Sequence, residues 1–149
     1  MPEKETLERA KQDKREGKAP STQAGEFVKE EIEHIREGKH GARSAKQAIA
    51  IGLSKARRAG VNLPPPEKGK ASRKTRQQAA RDLRKGQSSS KSNTSAKRSR
   101  ASTKALKREG RSAASKTALS RHATKAASKR SKAERSRSAR KAARTRKKS

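Results

Sequence analysis

Thirty of the chain's 44 Lys and Arg residues lie in residues 67–149, where only four carboxylates oppose them, a net of +26. A segment with that much self-repulsion and so few apolar side chains has little with which to offset its ordering entropy. The preceding residues, 1–66, carry 14 basic and 10 acidic side chains, a net of +4. The change falls at Pro64-Pro65-Pro66, a stiff extended run that cannot continue a helix. Apolar residues make up 26% of the 149, with Phe27 the one aromatic, against about 45–50% in ordinary domains. On these grounds the expected fold class is mostly disordered with α-helical segments: a small helical hairpin and a polybasic low-complexity tail. The expected divisions are a charged helix or coil over 1–20, a hairpin over 21–63, a Pro-rich basic linker over 64–74, and a tail over 75–149.

Helical signals are clearest in the first 63 residues. The first piece, about 3–16, has Leu7 as its one sizeable apolar residue and shows no face to bury; Gly17 to Ser21 end it. In the second, about 22–37, Ala24, Val28, Ile32 and Ile35 form a stripe at helical spacing with Phe27 at its edge, and Gly38 is a natural stop. The third starts at a Ser44-x-x-Gln47 capping box and stops at Gly60. Its expected inner face is Ala45, Ile49, Gly52, Leu53 and Ala56, small enough to admit a second helix closely. Ile51 points about 200° from Ile49 and is the candidate for weak self-association into a homodimer. In the tail, residues 75–85 and 103 onward are helix-capable once their charge is neutralised, with a break at Gly110. Residues 87–95 read as a polar linker, and an Ala-Ser pair recurs every 13 residues at 101, 114 and 127.

Catalytic chemistry finds no footing. There is no Cys, Ser never stands in a Gly-x-Ser-x-Gly setting, and no Walker A order is present. His34 and His40 are six residues apart across an expected helix end, with no third ligand close by, so neither a metal nor a cofactor is expected. The protein is read as a non-enzyme without a small-molecule substrate. No signal peptide or apolar membrane span stands out, and acylation motifs are missing, so membrane binding is not expected and the location is read as cytoplasmic, at the nucleoid.

The tail's charge requires a polyanion. At one charge per ~1.7 Å of duplex DNA, 26 charges cover roughly 44 Å, or about 13 base pairs. The candidate phosphate contacts are Arg73, Lys74, Arg76, Arg81, Arg84 and Lys85 before the polar linker. After it come Lys97, Arg98, Arg100, Lys104, Lys107, Arg108 and Arg111, then Lys116, Arg121, Lys125, Lys129 and Arg130. The last group is Lys132, Arg135, Arg137, Arg140, Lys141, Arg144, Arg146, Lys147 and Lys148. The basic turn opening the third helix offers a secondary contact through Lys39, Arg43, Ser44 and Lys46. With no aromatic in the tail there is no stacking platform for unpaired bases. The first reading is therefore a histone-like, largely sequence-independent duplex-DNA binder. RNA or ribosome association, or an adaptor whose hairpin docks on another protein, are the alternatives.

The string Ser44-Ala45-Lys46-Gln47-Ala48-Ile49-Ala50-Ile51, after a Gly/Lys turn, resembles the core of a bacterial family of small basic proteins classed as a domain of unknown function. That resemblance spans about 40 residues and implies a bacterial source without an established activity. The tail is similar in composition to the Ala/Lys/Arg-rich arms of linker-histone-like nucleoid proteins.

Overall fold

The structure, a computed structural model, describes residues 2–88 and 95–148. Of the described residues 73% are helical, which overturns the expectation of a mostly disordered protein. Seven α-helices are described: α1 (Lys4–Arg15), α2 (Pro20–Arg36), α3 (Ala45–Arg58), α4 (Arg73–Gln87), α5 (Ala96–Lys107), α6 (Lys116–Ser128) and α7 (Lys132–Lys148). A single 3-10 turn, Ser112–Ala114, lies between α5 and α6. Of the polar linker read at 87–95, residues 89–94 lie outside the described residues.

Helix boundaries follow local chemistry. Pro20 occupies the first position of α2, where its missing N–H costs nothing. Ser44 caps α3 by accepting from Gln47 N–H, Ser72 caps α4 from Thr75 N–H, and Ser115 caps α6 from Ala118 N–H. Gly38 and Gly60 take left-handed φ of 78° and 99° just past α2 and α3. There the following N–H groups, of Lys39 and Val61, bond back to His34 and Ala56 carbonyls and close Schellman ends.

The α2–α3 hairpin is the centre of the packing, with α1 against α2 and α4 against α3. Nine of the 13 fully buried apolar residues among those described are Ala. The judgement of disorder weighed large apolar side chains; here the core forms from small ones by close approach of backbones. A Cβ added at Gly52 would stand 2.7 Å from Val28 Cα and 2.9 Å from Val28 N, so α3 lies on α2 with no room for a side chain. The inner face of α3 is Ala45, Ala48, Gly52 and Ala56, while Ile49 and Ile51 are both half-buried. Ala48 thus takes the place expected for Ile49, because a seam this tight admits a methyl and not a branched side chain.

One apolar cluster joins Leu7 and Ala10 of α1 to Ala24 and Phe27 of α2 and Ala56 of α3. The first helix therefore has a buried face, made of Ala10 and Thr6 beside Leu7, which a search for large apolar residues overlooks. A second cluster joins Ile32, Ile35, Ala42 and Ala48 to Ala113 and Ala114 from the basic half. The latter pair is drawn in by backbone pairing: Gly41 N–H donates to Leu106 O (2.9 Å), Ala42 N–H to Gly110 O (3.1 Å), and Arg36 Nε to Ala114 O (2.9 Å). Beyond these contacts α5, α6 and α7 have no fully buried residue. Their helicity is local, from Ala, Lys and Arg propensity and from capping.

The tight seam sets a testable contrast. Gly52→Ala is expected to lower folding stability by about 1–3 kcal/mol through overpacking, although Ala is favoured in helices by about 1 kcal/mol. Gly25, exposed in α2 with open space about it, is the control: Gly25→Ala is expected to raise stability by about 0.5–1 kcal/mol. Urea unfolding followed by circular dichroism measures both.

Candidate nucleic-acid interface

Two helix starts converge on one basic groove. The first turn of α3 contributes Ser44, Ala45 and Lys46, and the first turn of α6 contributes Thr117 and Ala118 beside its cap Ser115. Free amide N–H groups and both helix dipoles present positive charge at such ends. Arg43, Lys70, Arg121, Lys125 and Lys129 add side-chain cations along the same groove, whose volume is about 750 Å³, and no carboxylate lines it. Two of these cations are ion-paired at the groove's margin: Arg43 Nη2 is 3.8 Å from Glu109 Oε1 and Lys70 Nζ is 3.8 Å from Glu134 Oε1.

The four expected secondary contacts separate here. Arg43, Ser44 and Lys46 line the groove. Lys39 does not; its ammonium lies 3.1 Å from Glu37 and 3.2 Å from Glu3. The hydrogen bonds to Glu37 and then Glu3 raise its pKa. Of the tail's expected contacts, Arg121, Lys125 and Lys129 join the groove, through their i,i+4 spacing on α6. On α5, Arg100, Lys104 and Lys107 share one face. In α4, Arg76 is half-buried and donates to Pro66 O (3.3 Å), whereas Arg73, Lys74, Arg81, Arg84 and Lys85 are exposed. Lys97, Arg98, Arg108, Arg111, Lys116 and Arg130 are exposed as well.

Sequence reading missed Lys70 and the meeting of the α3 and α6 starts. The placement of Ser115 opposite Ser44 depends on the burial of Ala113 and Ala114. Also missed was Asp82, an acid inside the basic half. It is buried and accepts from Ser54 Oγ (2.7 Å), Arg58 Nε (2.9 Å) and Gln78 Nε2 (3.1 Å), so it docks α4 on α3 and offers no counter-charge to the groove.

The most basic helix, α7, has one acid, Glu134, in its first turn. Ser131 and Glu134 form a reciprocal capping box: Ser131 N–H donates to Glu134 Oε2 (2.9 Å) and Glu134 N–H to Ser131 Oγ (3.1 Å).

Residues 5–68 match a family of unknown function (DUF6496). The matched span reaches from α1 past the prolines and stops short of α4. No curated protein matches the chain, and no solved structure does. Among the described residues no helix is long and apolar enough to cross a membrane.

The capping box gives α7 a pH dependence of definite sign. The hydrogen bond from Ser131 N–H, then the charge of Lys70, depress the Glu134 pKa. A depressed carboxyl contributes stability above its unfolded pKa, about 4.3, and loses it as pH falls through the folded value. Amide exchange in the first turn of α7 is therefore expected to accelerate below about pH 4. In Ser131→Ala, which lacks half the box, it should already be fast at neutral pH.

Proposed function

We propose that this protein is a non-enzymatic, largely sequence-independent binder of duplex DNA, acting on phosphates. The observation that carries the reading is the groove between α3 and α6, where two helix starts and six Lys and Arg side chains gather with no carboxylate. Helix N-termini and Lys/Arg side chains are the groups that hold phosphate oxygens without reading bases. The remaining exposed cations extend the contact along the duplex. In α7 the like charges Arg137/Lys141 and Arg140/Arg144 stand at i,i+4 and repel, and phosphates placed between them relieve that cost. Aromatic stacking, the means of gripping unpaired bases, has no residue to serve it in the tail.

Binding by counterion release predicts that log K falls linearly with log salt at about −0.9 per phosphate contact. For the full chain on random duplex the expected slope is steeper than about −5, with little dependence on DNA sequence. In the triple variant Arg43→Gln/Arg121→Gln/Lys125→Gln the slope should become shallower by about 2–3. Fluorescence anisotropy across a salt series reads these quantities. A slope shallower than about −3, or tight preference for one site, defeats the proposal. Stronger binding to duplex RNA than to DNA of matched length moves the assignment to RNA.

A further inference from the structure

Away from the basic groove, α2 buries two adjacent carboxylates. Glu31 is 0% exposed and Glu30 2%. Each keeps one oxygen without a hydrogen-bond partner, Glu30 Oε1 and Glu31 Oε2. Lys55 of α3 neutralises Glu31 through Oε1. Two buried negative charges with one ammonium leave a negative charge uncompensated, and such a charge calls for a further cation.

Two histidines are set to receive it. His34, one turn along α2, has its outer nitrogen Nε2 2.9 Å from Glu3 Oε1. His40, in the turn after α2, has Nδ1 2.9 Å from its neighbour's carbonyl, Gly41 O. Both of those partners are acceptors, which a ring N–H at the outer nitrogen satisfies. The inner nitrogens both face Glu31: His40 Nε2 lies 3.1 Å from Oε2 and His34 Nδ1 3.9 Å from Oε1, while His34 Nε2 is also 4.0 Å from Glu30 Oε1. The rings stand nearly perpendicular, with centroids 6.2 Å apart. One proton would satisfy one lone pair and leave the other facing a carboxylate.

We infer that Glu31, His34 and His40 form a site for a divalent transition metal of the zinc class, with Glu31 Oε2, His34 Nδ1 and His40 Nε2 as ligands. One ligand atom from each of the three residues lies within 4.8 Å of the other two. Tetrahedral zinc ligands at ~2.0–2.1 Å from the ion stand roughly 3.3 Å apart, close to the His40–Glu31 separation. The fourth position falls to water. Neutral imidazole held by an acceptor on its far nitrogen is the usual zinc-ligating arrangement. Here Glu3 and Gly41 O supply those acceptors, and Glu3 is a positioning residue. Lys55 leaves Oε2 of Glu31 for the metal. A bound ion would join the C-terminal half of α2 to the turn before α3. The spacing of His34 and His40 concealed the site because the third ligand, Glu31, precedes both and comes from the buried face.

The test uses the full chain, stripped with chelator and titrated with Zn²⁺ in buffer free of nucleic acid. One equivalent is expected to bind, and Co²⁺ in its place should give the visible bands of a low-coordinate nitrogen/oxygen site. His34→Ala and His40→Ala should each weaken binding at least ~100-fold, and Glu3→Gln ~10–100-fold; His122→Ala, distant in sequence on α6, should leave it unchanged. Ring ¹⁵N shifts of the unmutated chain give a readout independent of variant folding: Zn²⁺ should move His34 Nδ1 and His40 Nε2 and leave His122 in place. Failure of the stripped chain to take up Zn²⁺ stoichiometrically overturns the inference. So does uptake that survives both His34→Ala and His40→Ala, or a proton found on His40 Nε2 with Zn²⁺ present.

Discussion

Everything in the fold depends on how closely α3 lies on α2. With Gly52 against the Val28 backbone and Ala48 and Ala56 fully buried beside it, the two helices meet almost backbone to backbone. Dispersion between closely packed atoms, individually small, sums over such a seam. A chain with one aromatic residue has few other ways to bury continuous surface. The same closeness places α1 over Phe27 and lets the 3-10 turn insert Ala113 and Ala114 under Ile35. Larger side chains on α3 would widen the seam and remove the site against which the basic half docks.

Electrostatics supplies the specificity that small apolar residues lack. Methyl against methyl fixes a distance but only weakly fixes a register. Three of the four buried carboxylates among the described residues make directional ties: Asp13 to Lys18 across the turn after α1, Glu31 to Lys55 from α2 to α3, and Asp82 to Arg58 and Ser54 from α4 to α3. Removing one partner of such a pair leaves a carboxylate buried without its cation, so a slipped register is disfavoured. A further tie is neutral at its acceptor end. Arg57, itself buried, donates to the carbonyls of Leu63 (3.1 Å) and Pro64 (3.2 Å), and the proline run is held against the helices by it.

What could be read from residues alone was what residues decide locally. The Ser44–Gln47 cap, the glycine stops at 38 and 60 and the start of α3 are one-turn chemistry and were legible. The buried face of α1 was hidden because Thr6 and Ala10 carry no large apolar signal, and Ala48 was passed over for Ile49 for the same reason. The assignment of the tail to disorder failed on a related point. Bulk apolar content measures capacity for a conventional core, whereas Ala-rich cationic segments with Ser caps hold helix locally, and the Ala113-Ala114 pair needs only two methyls to dock. The groove could not be foreseen, since it exists only where residues 43–46 and 115–129 are brought together through that docking. Lys39 stands outside the groove between Glu37 and Glu3, and the second of these acids is 36 residues away in sequence.

The turn between α2 and α3 is where these levels meet. Gly41 donates its N–H to Leu106 O and lends its carbonyl to His40 Nδ1. One residue thereby fastens the basic half to the hairpin and aims an imidazole at Glu31. Two positions later Arg43 enters the groove, with its own N–H bonded to Gln47 Oε1 at 2.6 Å. Eight residues, 37–44, separate α2 from α3, so the orientation of His40 and that of Arg43 are not independent. A cation held at Glu31, His34 and His40 reduces the freedom of the backbone that presents the first turn of α3. Pre-organising that turn lowers the ordering cost that any polyanion must meet on reaching the groove.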